Sequence, residues 1–267
     1  MADAAALLGR SEDAKMYGRR ATDIRAAFNR KFLDARTGVY ATGAQAAQAI
    51  PLVMGLVPEK NRTAAAEALV KDVRAHGNAL TAGDVGFRYL LRALADAGRS
   101  DVIYDMNAQS DKPGYGYQLN KGATSLTEAW DAGPESSQNH FMLGHIMEWF
   151  YGDLAGIRGS IDGPGFKIII IRPSPVGDVK WARATLETVR GRIESEWKIE
   201  DGKIILKVII PANTTARIHM PVAPGGLVRE GGRPAEKSEA VKSIGPVDGR
   251  AVFEIGSGRY VFEADWK

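Results

Sequence analysis

Residues 193–210 read IESEWKIEDGKIILKVII, and this stretch decides the architecture of the second half of the chain. Ile193, Ser195, Trp197 and Ile199 alternate with Glu194, Glu196, Lys198 and Glu200. A period of two with charged residues on one face is the mark of a half-buried β-strand. Asp201-Gly202 then supplies a hairpin turn, and Lys203–Ile210 supplies the returning strand. Working outward, Phe166–Arg172, Thr214–Met220 and a hairpin over Ala251–Phe262 around Gly256-Ser257-Gly258 repeat the theme. Short strands at this spacing predict an antiparallel β-sandwich over residues 159–267. The Gly- and Pro-rich segment Gly159–Gly165 is the expected boundary.

Upstream of that boundary the period changes to that of helices. The segment 11–33 places Met16, Ile24, Ala27, Phe28 and Phe32 near one stripe, with Ser11 as the expected N-cap. Further helices are expected over Gln45–Leu56, Glu59–His76, Val85–Ala97, Asp101–Gln109 and Ser137–Gly156. In the last, Leu143, Ile146, Met147, Phe150 and Leu154 form the apolar face. Helices joined by short loops predict an all-α layer over residues 1–158, a toroid or bundle.

The bulk properties narrow the function. A chain of 267 residues, 45% hydrophobic and 25% charged, has ample material for a packed core. The absence of cysteine excludes disulfides, thiolate catalysis and Cys-based zinc sites. The isoelectric point is near 9.0. However, 35 Lys and Arg stand against only 32 Asp and Glu, and the excess forms no basic stripe. Nucleic acid is therefore not an expected partner. Ile168–Ile171 is too short to cross a bilayer, so no membrane partner is expected either. Residues after Met1 lack the basic and apolar regions of a signal peptide, which points to the cytoplasm if the chain is complete.

Polar and aromatic density peaks between Pro113 and Trp149, with Tyr115, Tyr117, Glu128, Trp130, Asp131, His140 and His145 among its members. Sugar sites use this mixture: ring faces stack on C–H groups, while carboxylates, amides and imidazoles bond to hydroxyls. Spacing alone favours an ordinary solvated glutamate at Glu128 over a base acting on water. His140 and His145 lie about 140° apart around a helix, which makes a poor metal pair. Asp84 reads first as a helix cap, and the Gly114–Tyr117 segment as a tight turn. Phosphate-binding loops and a G-x-S-x-G elbow are missing, and no cofactor or metal is expected.

GATSLTEAWD (122–131) followed by SSQNHFMLGHIMEWFYGDLAGI (136–157) resembles the end of the catalytic domain in glycoside hydrolase family 78, the bacterial α-L-rhamnosidases. AFNRKFLDARTGVY, QAIPLVMGLVP, LTAGDVGFRYLLRALADAGRSDVIYDM and PGYGYQLNKGAT are similar to the same family in the same order. The resemblance implies part of an (α/α)6 barrel followed by a β-sandwich. It implies inverting hydrolysis of a terminal α-L-rhamnoside, with a rhamnose-containing oligosaccharide or glycoside as partner. The family's general base falls on Glu128 and its sugar-binding histidine on His140, with Trp130 as an aromatic wall and Tyr117 as a further substrate contact.

The family's general acid lies in an acidic cluster followed by G-W-x-G-D, and this sequence contains no such segment. The expectation is therefore a barrel entered partway, with apolar helix faces left open to self-association. Two other functions compete: a carbohydrate-binding module that keeps the pocket without the acid, and a helical-barrel glycosidase for a different sugar.

Overall fold

The computed structural model describes residues 1–222 and 226–266. The chain forms two compact units, Met1–Gly144 and His145–Lys267. The first is helical, and the second is built from two sheets whose strands run mostly antiparallel.

The helical unit contains α1 (Ala2–Leu7), α2 (Ser11–Phe32), α3 (Gln45–Val53), α4 (Arg62–Ala75), α5 (Asp84–Asp96), α6 (Ser100–Asn107) and α7 (Tyr115–Asn120). A two-stranded ribbon, β1 (Leu33–Asp34) with β2 (Val39–Tyr40), follows α2. Leu69, Val73, Phe87, Leu90, Leu94, Ile103 and Met106 of α4, α5 and α6 are buried, at the spacings their apolar periodicity requires. Gly86 lets α5 approach α3: a Cβ there would stand 2.8 Å from the Cβ of Ala46.

Three local expectations change. The N-cap of α2 is Arg10, and Ser11 is the first helical residue, with no side-chain cap. Gly114–Tyr117 is not a free turn, because α7 begins at Tyr115. The apolar stripe of α2 is covered only at its C-terminal end. There Phe28 packs on Phe32 and Tyr40, and Asn29 accepts from the Tyr40 hydroxyl while donating to Leu56 O at 2.8 Å. Toward the N-terminus Ile24 is 57% exposed, and no residue of α2 is fully buried.

The long helix expected over Ser137–Gly156 is broken. Residues 137–140 are irregular, Phe141–His145 forms a 3-10 turn, α8 covers only Ile146–Trp149, and Phe150–Leu154 widens to a π-type turn. Leu143, Ile146 and Trp149 are buried, whereas Met147 and Phe150 are exposed, so the apolar face follows the changed winding.

In the second unit, one sheet runs β10-β9-β13-β7-β6-β5 and the other β11-β12-β8-β4-β3. The first comprises Arg233–Pro234, Val228–Glu230, Gly258–Asp265, Lys203–Ile210, Gly191–Glu200 and Trp181–Thr188 in that order. The second comprises Val241–Val247, Arg250–Ile255, Thr215–Met220, Ile168–Ile171 and Ile157–Gly159. Only β4 and β8 pair in parallel among the described ladders. Ile169, Ile171 and Ile218 from one sheet join Ile193, Trp197, Leu206 and Phe262 from the other in a single core. Asp201 and Gly202 both take positive φ, 51° and 72°, as a two-residue hairpin turn between β6 and β7 demands.

The expected hairpin over Ala251–Phe262 is not one. β12 pairs with β8 and β11, whereas β13 pairs with β7 and β9, so the Gly256-Ser257-Gly258 turn carries the chain from one sheet to the other. The same flexible residues serve either connection, and only the pairing partners decide between them.

Candidate active site

The site is built from two loops and a helix start in the helical unit. Leu126 O accepts from the backbone N–H of His140 at 2.8 Å, and Glu128 N–H donates to Ser137 O at 3.0 Å. These two bonds fold the 121–140 segment back on itself and bring Glu128 beside the chain that carries His140. Thr127, buried between them, donates its hydroxyl to Ala129 O at 2.7 Å.

A second tie fixes this loop to the approach of α5. Trp130 Nε1–H donates to Ala82 O at 2.8 Å, and the Trp130 ring meets Phe87 and Tyr115 edge-to-face at 4.7 and 5.1 Å. The Tyr115 hydroxyl donates to Leu143 O. Behind residues 79–82 sits Gln45, fully buried on α3. Its amide donates to Ala79 O at 2.9 Å and accepts from Thr81 and Ala82 N–H at 3.0 and 3.1 Å. A buried amide satisfied on both sides holds this backbone in one conformation.

Between these pieces opens a cleft of about 520 Å³. Its polar lining is Thr81, Asp84, Glu128, Asp131 and His140, set against Leu80, Pro113, Trp130 and Leu143. Glu128 is exposed to solvent at the cleft. His140 Nε2 stands 3.5 Å from Asp84 Oδ2, and the other Asp84 oxygen accepts from Val85 N–H at 2.7 Å. Three carboxylates and one imidazole around an apolar floor suit a neutral ligand rich in hydroxyl donors, and they repel phosphates. Among the described residues no group of three His, Asp or Glu is placed to hold a metal. No helix among them is long and apolar enough to cross a membrane.

Of the four residues singled out in the sequence, Glu128, Trp130 and His140 line this one cleft. Trp130 does so while only 5% exposed, its ring committed to Phe87 and Tyr115. Tyr117 is half-buried on α7 beneath the Lys121 ammonium, 5.3 Å from its ring centre, and is not among the lining residues. Asp84 read in the sequence as a helix cap, with a substrate contact as the lesser alternative; the N-cap is Gly83, and Asp84 is the first residue of α5. It lies 56 positions from His140, and no local pattern joins the two.

A helical unit followed by two packed sheets is a fold the chain shares with solved α-L-rhamnosidases. Residues 1–154 match the bacterial α-L-rhamnosidase 6 hairpin glycosidase domain, and residues 156–234 match the bacterial α-L-rhamnosidase C-terminal domain. The chain belongs to the bacterial α-L-rhamnosidase family. An α-L-rhamnosidase of Streptomyces avermitilis is 35% identical over 260 residues, which is 94% of this chain and 24% of that protein. The crystal structure of the Streptomyces avermitilis α-L-rhamnosidase complexed with L-rhamnose superimposes with a TM-score of 0.88 at 34% identity, over 98% of this chain and 25% of the other. The α-L-rhamnosidase of Dictyoglumus thermophilum gives 0.87 at 31% identity, over 99% and 30%. The chain thus spans about a quarter of the length of the curated relatives it matches.

Proposed function

We propose that this chain carries the water-activating half of an inverting α-L-rhamnosidase site. Glu128 is the general base; His140 and Trp130, which line the cleft with it, bind the sugar, and Tyr117, off that lining, has no part in this reading. In this reading residues 1–158 hold the sugar chemistry and residues 159–267 form the accompanying sandwich. The observation that carries the reading is the convergence of Glu128 and His140 on one cleft, within the segment that matches the glycosidase domain.

The chemistry follows from the geometry of inversion. A carboxylate on the far side of the anomeric carbon from the leaving group takes a proton from water as that water attacks. An acid roughly 6.5–9.5 Å away protonates the leaving oxygen. Glu128, exposed at the cleft, has the access to water that the first role needs. No carboxylate of the chain is assigned the second. General acid catalysis contributes about 10²–10⁴-fold, so turnover by these residues alone should be slow even where binding is intact.

The test is titration of the chain with L-rhamnose, combined with hydrolysis of an aryl α-L-rhamnoside by wild type and Glu128→Gln. Rhamnose binding retained in the variant, with its hydrolysis lost and wild type releasing β-L-rhamnose first, supports the proposal. Equal hydrolysis by both removes Glu128 from the reaction. Binding without turnover by wild type makes the chain a sugar-binding module. We also propose self-association through the uncovered stripe of α2, where Met16 and Ile24 are exposed. A constant monomer mass in light scattering across concentrations would refute it.

A further inference from the structure

We infer that Asp84 is a positioning residue for His140, holding the imidazole as its Nε2–H tautomer so that Nδ1 is left as an acceptor for a sugar hydroxyl. The sugar half of this inference rests on the reading of the cleft as a rhamnose site; the tautomer half does not.

Asp84 is the first residue of α5, and its carboxylate is oriented by the Val85 N–H on Oδ1. The free oxygen, Oδ2, faces His140 Nε2 at 3.5 Å, and both side chains line the cleft with Glu128. His140 is in turn fixed at its backbone by Leu126 O. A neutral imidazole has one N–H and one bare nitrogen, and an ionised carboxylate can only accept. Facing Nε2, it selects the tautomer with the proton there, and the partner of one ring nitrogen thereby decides the role of the other. A separation of 3.5 Å is long for such a bond, but bonds of this kind shorten when substrate closes a site. Gly83, not Asp84, is the N-cap of α5, and the bond from Val85 N–H uses only one Asp84 oxygen. The second is spent on the residue to which sugar binding is assigned.

The experiment is long-range ¹H–¹⁵N correlation of the histidine rings in the ¹⁵N-labelled chain at pH 8. The His140 signals are assigned with His140→Gln. Wild type should show protonation at Nε2, Asp84→Asn should shift population toward Nδ1–H, and Asp84→Glu should restore it in part. A wild-type ring protonated at Nδ1, or an Asp84→Asn spectrum identical to wild type, overturns the inference. Circular dichroism checks that each variant folds, and Asp84→Ala serves as a second variant should the asparagine chain not fold. L-rhamnose titration then separates the two readings. Absence of binding by wild type sinks the rhamnose site and leaves the tautomer result standing. Where wild type binds, Asp84→Asn should bind at least about fivefold more weakly, and the substitution should have no further effect in the His140→Gln background. An equal loss in that background would mean that Asp84 touches the sugar directly, which overturns the positioning role.

Discussion

Trp130 donates its indole N–H to the carbonyl of Ala82 at 2.8 Å, and this bond ties the loop bearing Glu128 to the segment entering α5. Trp130→Phe keeps an aromatic ring against Phe87 and Tyr115 but leaves the Ala82 carbonyl unpaired. The expected loss of stability is about 1–3 kcal/mol. Urea denaturation should report it, and weaker binding of L-rhamnose should accompany it because both walls of the cleft depend on this tie.

Gln45 supports the same segment from behind through three bonds to residues 79–82. Gln45→Leu is nearly isosteric and buries no new polar atom, but it orphans Ala79 O and the N–H groups of Thr81 and Ala82. A destabilisation of about 2–4 kcal/mol is expected. If sugar affinity falls no further than in an equally destabilised variant distant from the cleft, Gln45 has no part in shaping the site.

Gly86 marks the closest approach of α5 to α3, with Ala46 Cβ 2.8 Å from where a Cβ would lie. Gly86→Val must push the helices apart, and overpacking of this kind costs about 1–3 kcal/mol. A thermal midpoint unchanged from wild type would show that the helices yield freely.

His219, on β8, gives a dependence on pH. It is 8% exposed, with Nδ1 unpartnered. Burial, then the charges of Arg172 and Arg250, lower its pKa from 6.5 to about 4, against the opposing pull of Asp248. The folded state therefore binds fewer protons than the unfolded chain between these two values. Stability contributed by this group is present above pH 6.5 and is lost as pH falls toward 4, by roughly 3 kcal/mol at most. Urea midpoints at pH 7 and pH 4.5 should converge in His219→Gln relative to wild type. An equal acid sensitivity in both proteins would exclude His219 as its source.

Much of the fold was legible because its signals are local. The alternation of residues 193–200 and the Asp201-Gly202 turn specify β6, β7 and their hairpin through the two-residue period of a strand and the positive φ of a tight turn. The helices expected over 59–76, 85–97 and 101–109 likewise fall on α4, α5 and α6. The 137–156 segment shows the limit: its apolar residues suggested one helix, yet the backbone passes through 3-10, α and π windings, and Leu143, Ile146 and Trp149 are each buried while Met147 and Phe150 are exposed. Periodicity averages over such changes and cannot register them.

By itself, then, the sequence determined a helical half and a sandwich half, the inward alternation of Ile193 and Trp197, and the rhamnosidase motif around Glu128 and His140. Each depends on neighbours a few positions apart, or on a residue string that can be matched directly. Tertiary structure alone decided that Gly256–Gly258 crosses between sheets, that Trp130 is committed to its aromatic neighbours, and that Asp84 meets His140 across 56 positions. Such contacts arise only when separate elements pack, and the free energy that selects them is shared among many buried residues and written in no single stretch of the chain.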